Sequence, residues 1–237
     1  RELAATSSEG TFASRPAASL HGRTWYSTDG ALASFDDGTA WRPIIGGFIG
    51  VEPPLAASWT KLGGTSATLT DDAGTLQIRS STNNEVWEGP SIGVLSGQFT
   101  IECVFQCAWN TKGNGQESLF ALALEEHSSG KFYRFGIYAG SDASINVQSQ
   151  NFTNRTTPSG GATASTKILD ARGPFWLRAI QDSTKLTFYW STNGLNWRQL
   201  YQTTKTSFCA VDTLGLFVND TGGNENVVDI LSLKMIG

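Results

Sequence analysis

The sequence predicts an all-β protein, an antiparallel sandwich of two packed sheets, and three observations carry this prediction. Short runs rich in aromatic and β-branched residues recur along the chain, separated by turns of Gly, Asn, Ser and Asp. No segment shows the periodicity of an amphipathic helix over three turns. Only 16% of the 237 residues are charged and 26 are glycine. That composition suits a sheet-rich protein whose surface is polar but largely uncharged.

The chain divides into two expected parts, residues 1–50 and residues 51–237. Residues 1–11 are small and polar, which predicts an extended arm. Very short strands are predicted at residues 23–27, 31–35 and 40–42, joined by turns at Asp and Gly. So few short strands bury little apolar surface, so this meander is expected to need the rest of the chain or further copies of itself. The Gly- and Pro-rich residues 46–54 are predicted to be a linker.

The second part is predicted to be built from strands of about six to eight residues. In residues 97–109 the apolar side chains alternate, so Phe99, Cys103 and Cys107 share one face. Residues 117–126 are apolar on both faces, which predicts a central strand. Asn193-Gly194 predicts a type I′ hairpin turn after residues 185–191. The predicted strands are residues 59–62, 66–71, 75–80, 87–93, 97–109, 117–126, 131–139, 144–150, 166–169, 175–182, 185–191, 197–203, 213–218 and 227–235.

The three cysteines are predicted to be reduced core residues, which would fit assembly in a reducing cytoplasm. Cys103 and Cys107 are four residues apart on one strand, hence ~13 Å apart, beyond the ~7 Å limit of a disulfide. Cys209 could reach one of them only from a neighbouring strand. The two histidines, His21 and His127, lie far from any cysteine cluster, so neither a metal site nor a cofactor is expected.

The net charge and the absence of certain motifs argue against several classes of function. A net charge of −4 gives no electrostatic case for nucleic acid or an anionic membrane as partner. No apolar run approaches the ~20 residues that span a bilayer. Glu125 and Glu126 are adjacent and Glu85 and Glu88 are three apart, so neither pair shares a strand face as a glycosidase pair would. The chain is therefore not expected to be an enzyme.

Carbohydrate binding is better supported by the residue types. Aromatic rings stack on sugar faces, while amide and guanidinium groups hydrogen-bond sugar hydroxyls. Residues 151–165 are predicted to form a long exposed loop, a usual place for recognition. Trp176, Trp190 and Trp197 are instead expected to pack in the core or against turns. The candidate ligand-binding residues lie outside a clear core alternation and are Trp87, Trp109, Asn110, Tyr133, Arg134, Tyr138, Asn146 and Asn219.

Residues 57–237 resemble a concanavalin A-like lectin/glucanase jelly-roll domain. The resemblance lies in the run Phe-Trp-Leu-Arg at 175–178, Tyr-Trp-Ser-Thr-Asn-Gly at 189–194 and Trp197, then Gly-Leu-Phe at 215–217 and the final strand 228–233. It implies a jelly-roll sandwich preceded by an arm and a small meander. It does not imply one activity, because lectins, glycanases and passive spacers share this fold.

Residues 15–41 resemble short repeats of bacteriophage tail-fibre and other virion-surface proteins. The matching residues are Arg-Pro-Ala at 15–17, Trp-Tyr-Ser-Thr-Asp at 25–29, and Asp-Gly-Thr-Ala-Trp at 37–41. In that family the segment is a connecting or attachment element, often in trimers. The resemblance thus implies attachment or oligomerisation through Arg15, Pro16, Trp25, Tyr26, Asp29 and Trp41.

Together the two resemblances imply a virion structural protein, assembled in the host cytoplasm and displayed on the virion surface. A homotrimer would contact other virion proteins through residues 1–50, and the sandwich would bind a host surface glycan or another ligand. The alternative is a capsid decoration or head-fibre protein with a purely structural clamping role.

Overall fold

The computed structural model describes residues 7–10, 24–27, 33–36, 41–45, 48–49, 56–62, 68–72, 75–80, 85–91, 97–108, 117–139, 144–168, 173–219 and 226–236. Apart from a 3-10 turn at Ala56–Ser58, the regular structure of these residues is β. None of them forms a helix long and apolar enough to span a membrane.

The strands of the first fifty residues are β1 (Ser7–Gly10), β2 (Thr24–Ser27), β3 (Ala33–Asp36), β4 (Trp41–Ile45) and β5 (Phe48–Ile49). The strands that follow are β6 (Thr60–Lys61), β7 (Thr68–Asp72), β8 (Thr75–Ser80), β9 (Glu85–Ser91), β10 (Phe99–Ala108), β11 (Glu117–Glu126), β12 (Lys131–Ala139), β13 (Ile145–Asn154), β14 (Thr157–Pro158), β15 (Ala164–Ile168), β16 (Phe175–Gln181), β17 (Lys185–Ser191), β18 (Arg198–Thr204), β19 (Thr213–Asn219) and β20 (Asn226–Ile236).

Strands β1 to β5 form a small sheet in chain order. Strands β2, β3 and β4 confirm the predicted meander, and each of their ends lies within three residues of the predicted end. Two short strands extend this sheet beyond the predicted meander, because Ser7–Gly10 of the predicted arm pairs in parallel with β2 and Phe48–Ile49 of the predicted linker pairs with β4. Both strands are too short for a periodic signal, and pairing satisfies their backbone groups. The division at residue 50 stays a prediction.

Two larger antiparallel sheets confirm the predicted sandwich. One has the order β18-β17-β16-β10-β20-β8-β7. The other, called the larger sheet below, has the order β14-β13-β12-β11-β19-β9-β6, and β15 also pairs with β13. Within each sheet some neighbours are distant in the chain, β10 with β20 in the first sheet and β11 with β19 in the larger sheet.

The core lies between these sheets and follows the predicted alternation. Phe99, Ile101, Cys103, Phe105 and Cys107 all belong to it. Rings from opposite sheets meet there, as in the Phe105–Phe120 and Phe135–Phe188 pairs, with centroids 4.5 and 4.8 Å apart. Such contacts add to the stabilisation from apolar burial.

The prediction that β11 is central is also confirmed. It pairs with β12 on one side and with β19 on the other. Phe120, Leu122 and Leu124 point into the core, whereas Ala121 and Ala123 belong to a separate apolar cluster on the outer face.

All three cysteines are buried free thiols of the core, as predicted. Burial raises the pKa of the Cys103 thiol far above its usual range, and nearby Cys107 adds to this rise. Burial likewise raises the pKa of Cys209 to about 12. The thiols are therefore protonated and poor nucleophiles at neutral pH.

The three tryptophans of residues 175–197 pack as predicted. Trp190 lies in the core, whereas Trp176 packs with Val104 and Leu231 in an outer cluster that Trp197 covers. The predicted type I′ turn is wrong, because only its glycine, Gly194, has a positive φ, of 70°. The longer connection is held instead by the Asn193 side chain, whose Oδ1 accepts hydrogen bonds from two backbone N–H groups at 2.9 Å.

Candidate functional site

The outer face of the larger sheet carries a second apolar cluster. It consists of Ala121, Ala123, Phe132, Phe152 and Phe217, all almost fully buried. The rings of Phe132 and Phe152 stack with centroids 4.7 Å apart, and Phe217 lies 5.3 Å from Phe152. A sheet face turned away from the core usually carries polar residues, so this apolar floor sets the face apart.

Beside this cluster lies a groove of about 420 Å³. Strands β12, β13 and β19 contribute its floor, and residues 156–162 form one wall. The lining residues are Arg134, Tyr138, Gln148, Gln150, Phe152, Thr156, Pro158, Gly161, Ala162 and Asn219.

Strand periodicity brings the floor residues together. Arg134 and Tyr138 are four apart on β12 and share its outer face. The register places Gln150 opposite Arg134 and Gln148 opposite Gly136. Amide groups of one strand therefore lie beside the cation and the phenol of the next.

Gly136 lies between Arg134 and Tyr138 on β12 and comes very close to the β11 backbone. A Cβ at this position would lie 2.1 Å from the Phe120 carbonyl oxygen and 2.4 Å from the Ala121 Cα. The register of β11 with β12 shifts between Ser118 and Phe120, next to this close approach. Only glycine fits such a contact between two strand backbones.

Arg134 is the most unusual side chain of the groove, because it is only 3% exposed. Its guanidinium carbon lies 5.2 Å from the centre of the Tyr138 ring and 5.6 Å from that of Phe152, within cation–π range. Burial lowers the pKa of Arg134 to about 10, and Tyr138 opposes this shift. The guanidinium therefore still carries its charge at neutral pH.

The polar groups around the cation are mostly amides. The Nε2 of Gln150 donates to the Gly160 carbonyl oxygen at 2.7 Å, which ties the floor to the wall. Asn219 ends β19 at the edge of the groove, and its buried Oδ1 has no hydrogen-bond partner among the described residues. An unsatisfied buried acceptor is costly, so this atom suits a ligand that brings a hydroxyl or N–H donor.

A second depression, of about 450 Å³, adjoins the groove at Thr156, which lines both. It is formed by residues 127–130 and 154–156. Arg155 lines it and binds the fully buried carboxylate of Glu125 at 2.9 Å. Asn154 Oδ1 accepts hydrogen bonds from the backbone N–H and the hydroxyl of Thr156, each at 3.0 Å, which fixes the turn between the depressions.

Three of the predicted ligand-binding residues, Arg134, Tyr138 and Asn219, meet in the groove. Tyr133 instead lies in the core, because alternation turns it to the face opposite Arg134. Its hydroxyl accepts a hydrogen bond from the Phe208 N–H at 3.1 Å. Asn146 is buried, and its Nδ2 donates to the Ser144 hydroxyl at 3.1 Å.

The other predicted residues can be placed only in part. Trp87 lies on β9, but the structure does not describe its side chain, and Trp109 and Asn110 lie outside the described residues. The same holds for Arg15, Pro16 and Asp29 of the attachment set. Of the remaining attachment residues, Trp25 and Tyr26 lie on β2 and Trp41 on β4, where only the backbone is described.

The sequence interpretation missed Gln148, Gln150 and Phe152. Their alternation in residues 145–154 is the signal that could have identified them. It was obscured because residues 151–165 were predicted to be one long loop. Strand β13 in fact continues to Asn154, and the chain then returns along it as β14 and β15.

The two adjacent carboxylates of β11 have structural partners on different faces. Glu125 pairs with Arg155, whereas Glu126 accepts hydrogen bonds from the Ser129 hydroxyl and, at 3.1 Å, from the Ala210 N–H. The Ser129 hydrogen bond is the main cause that lowers the pKa of Glu126. In the part of the chain that the structure describes, no group of three or more His, Cys, Asp or Glu residues could hold a metal ion.

No family model matches the chain, and no curated protein matches its sequence. Solved structures with the same architecture do exist. A functionally unknown protein from Saccharomyces cerevisiae has a TM-score of 0.58 at 13% identity, over 78% of this chain and 98% of that one. The exoplasmic/lumenal domain of VIP36, in a form bound to Ca²⁺ and mannose, has a TM-score of 0.52 at 12% identity, over 76% of this chain and 82% of that one.

A third similar structure is Bacteroides ovatus Xyloglucan PUL GH43B, with a TM-score of 0.55 at 11% identity. The match covers 77% of this chain but only 37% of that protein. These likenesses confirm the predicted fold, a concanavalin A-like β-sandwich of the kind found in lectins and glycoside hydrolases.

Proposed function

We propose that the protein binds a glycan in the groove on the outer face of the larger sheet. The observation that carries this proposal is the convergence of Arg134, Tyr138 and Asn219, three residues with sugar-binding chemistry, in one groove. The presence of the same fold in the mannose-bound domain of VIP36 is in keeping with it.

The groove offers the two kinds of contact that sugars need. The Tyr138 ring and the apolar floor at Phe152 suit the C–H face of a pyranose ring. Gln148 and Gln150 offer amide donors and acceptors, and Asn219 Oδ1 offers an acceptor without a partner. A few placed polar groups over an apolar floor are typical of small-ligand sites.

Binding fits this chemistry better than hydrolysis does. Glycosidases of the usual kind act with a pair of carboxyl groups. The described residues that line the groove include amides, a phenol and a guanidinium, and none is a carboxylate. We therefore propose a binding protein.

We further propose that this glycan-binding protein is displayed on a bacteriophage virion, as a trimeric tail fibre or receptor-binding protein. The support is the resemblance of residues 15–41 to virion-surface repeats. Several copies on one particle would raise a weak sugar affinity by avidity. Capsid decoration is the alternative, and imaging of labelled particles separates the two because it places the protein at a tail or on the shell.

A glycan array probed with the full chain tests the binding proposal. Tyr138→Ala is expected to weaken binding of any hit about tenfold, equivalent to ~1.4 kcal/mol, because it removes one ring face and one hydroxyl. Tyr189→Ala is the matched control, since Tyr189 is a half-buried tyrosine of the other sheet. No binding to any glycan, or equal losses from the two variants, would contradict the proposal.

A further inference from the structure

We infer that the bound glycan is acidic, and that Arg134 binds a carboxylate or sulfate group on one of its sugars. This inference rests on the proposed function and names its ligand class. Among the described residues that line the groove, Arg134 carries the formal charge, and the others are neutral. A neutral sugar would be held as well by amides alone, whereas a guanidinium can also form charge-assisted hydrogen bonds with a carboxylate or sulfate.

The charge of Arg134 persists where water is largely excluded. A pKa of about 10 keeps the guanidinium charged at neutral pH although the side chain is only 3% exposed. The attraction between opposite charges is stronger in such a site than on the open surface, because the effective dielectric constant is lower. An anionic group that enters the groove is therefore attracted more strongly than at an exposed arginine, which helps to offset the loss of its hydration.

The guanidinium also has enough hydrogen-bond donors for an anionic group, and it lies in a suitable position. Its five N–H donors can bind a carboxylate through two parallel hydrogen bonds while other contacts within the protein remain. The rings of Tyr138 and Phe152 hold it at the groove. Gln150, opposite Arg134, is anchored to the wall at Gly160.

The charges elsewhere in the protein do not attract anions, so recognition of an acidic group depends on the groove itself. In the adjoining depression, Arg155 is neutralised by Glu125, so that pair adds no net positive charge. The chain carries a net charge of −4, so it has no overall attraction for polyanions. The protein should therefore select acidic sugars by their fit in the groove and should not bind a generic polyanion such as duplex DNA.

The first test uses the unmodified full chain and two matched pairs of polysaccharides. Polygalacturonate is compared with highly methyl-esterified pectin, and dextran sulfate with dextran. We expect at least one charged member to bind about tenfold or more tightly than its neutral counterpart, with the difference reduced by added salt. The first pair detects carboxylate recognition and the second sulfate recognition.

The outcomes separate this inference from the proposed function. If the glycans that bind on the array are neutral, and if both polysaccharide pairs show equal or better binding of the neutral member, the acidic class is wrong but glycan binding stands. If no glycan binds, the proposed function fails, and this inference fails with it. Equal binding of duplex DNA and the acidic polysaccharide would also overturn the inference.

A second test uses Arg134→Gln, with Arg178→Gln as the matched control. Arg178 is a half-buried arginine on the other sheet that pairs with Glu102 at 2.8 Å, so its replacement removes the same charge away from the groove. Arg134→Gln should reduce the preference for the charged polysaccharide about tenfold or more, and Arg178→Gln should leave it unchanged. An unchanged preference in folded Arg134→Gln overturns the inference, and if that variant fails to fold, the paired polysaccharides decide.

Discussion

The substitution Gly136→Ala tests the closest approach between two strands of the larger sheet. The added Cβ would lie 2.1 Å from the Phe120 carbonyl oxygen and 2.6 Å from the Ala121 Cβ. Two of the three nearest atoms belong to the β11 backbone, which is fixed by pairing with both β12 and β19. Rotation of a side chain therefore cannot relieve the collision.

The cost follows from what must move. Overpacking a well-packed region costs about 1–3 kcal/mol. We expect the upper end, about 3 kcal/mol, because the β11 and β12 backbones must separate and weaken their hydrogen bonds. In a domain of about 150–250 residues each kcal/mol lowers Tm by about 2–4 °C, so Tm should fall by about 6–12 °C.

Thermal denaturation followed by circular dichroism measures this effect. Gly173→Ala is the matched control, since a Cβ at Gly173 meets no atom of the described residues within 4 Å. It should leave Tm unchanged or raise it slightly, by restricting the unfolded chain. The reasoning is refuted if Gly136→Ala melts within about 1 °C of Gly173→Ala, a difference equivalent to less than ~0.5 kcal/mol.

Three further predictions concern charges and thiols. Arg155→Met should lower the free energy of unfolding in urea by about 3 kcal/mol, because it removes the guanidinium that pairs with the buried Glu125 carboxylate. The same substitution should cost less in a protein that already carries Glu125→Leu, which would confirm the coupling. An equal cost in both backgrounds would contradict it. Backbone N–H groups of the 182–185 turn lower the pKa of Asp182 below its usual 3.8, so its stabilisation is present above that pH and lost as pH falls through the folded value. The Tm difference between the unmodified protein and Asp182→Asn should therefore shrink below about pH 4, and a constant difference would disagree. All three cysteines should resist a thiol reagent at pH 8 until the protein unfolds, because they are buried and protonated; rapid labelling of the native protein would show that the core is open.

Local periodicity predicted most of the sandwich strands because each strand carries its own pattern. The alternation from Phe99 to Cys107 is fixed by burial of one face, and it survives unchanged in the structure. The turn at Asp182 was predictable for the same local reason, since its carboxylate accepts from N–H groups only two and three residues away. Both features depend on a few consecutive residues.

Features that depend on distant pairing could not be predicted in this way. The parallel partner of Ser7–Gly10 begins at Thr24, and no local pattern specifies it. Tyr133 and Arg134 are neighbours in sequence, but only the direction of the core decides which of them reaches the groove. The groove itself required the pairing of β13 with β12 and the return of residues 156–162 along it.

Gly136 connects the stability of the sheet with the shape of the groove. An isolated glycine inside a strand marks a close approach of backbones, and here that approach lies on β12 between Arg134 and Tyr138, two residues that line the groove. Any larger residue would separate β11 from β12 and would thereby displace the strand that carries Arg134 and Tyr138. A loss of glycan binding in Gly136→Ala would therefore not identify the site, whereas Tyr138→Ala and Arg134→Gln alter the lining without adding an atom against β11. The groove can be probed through its side chains, and the close contact below it through the melting temperature.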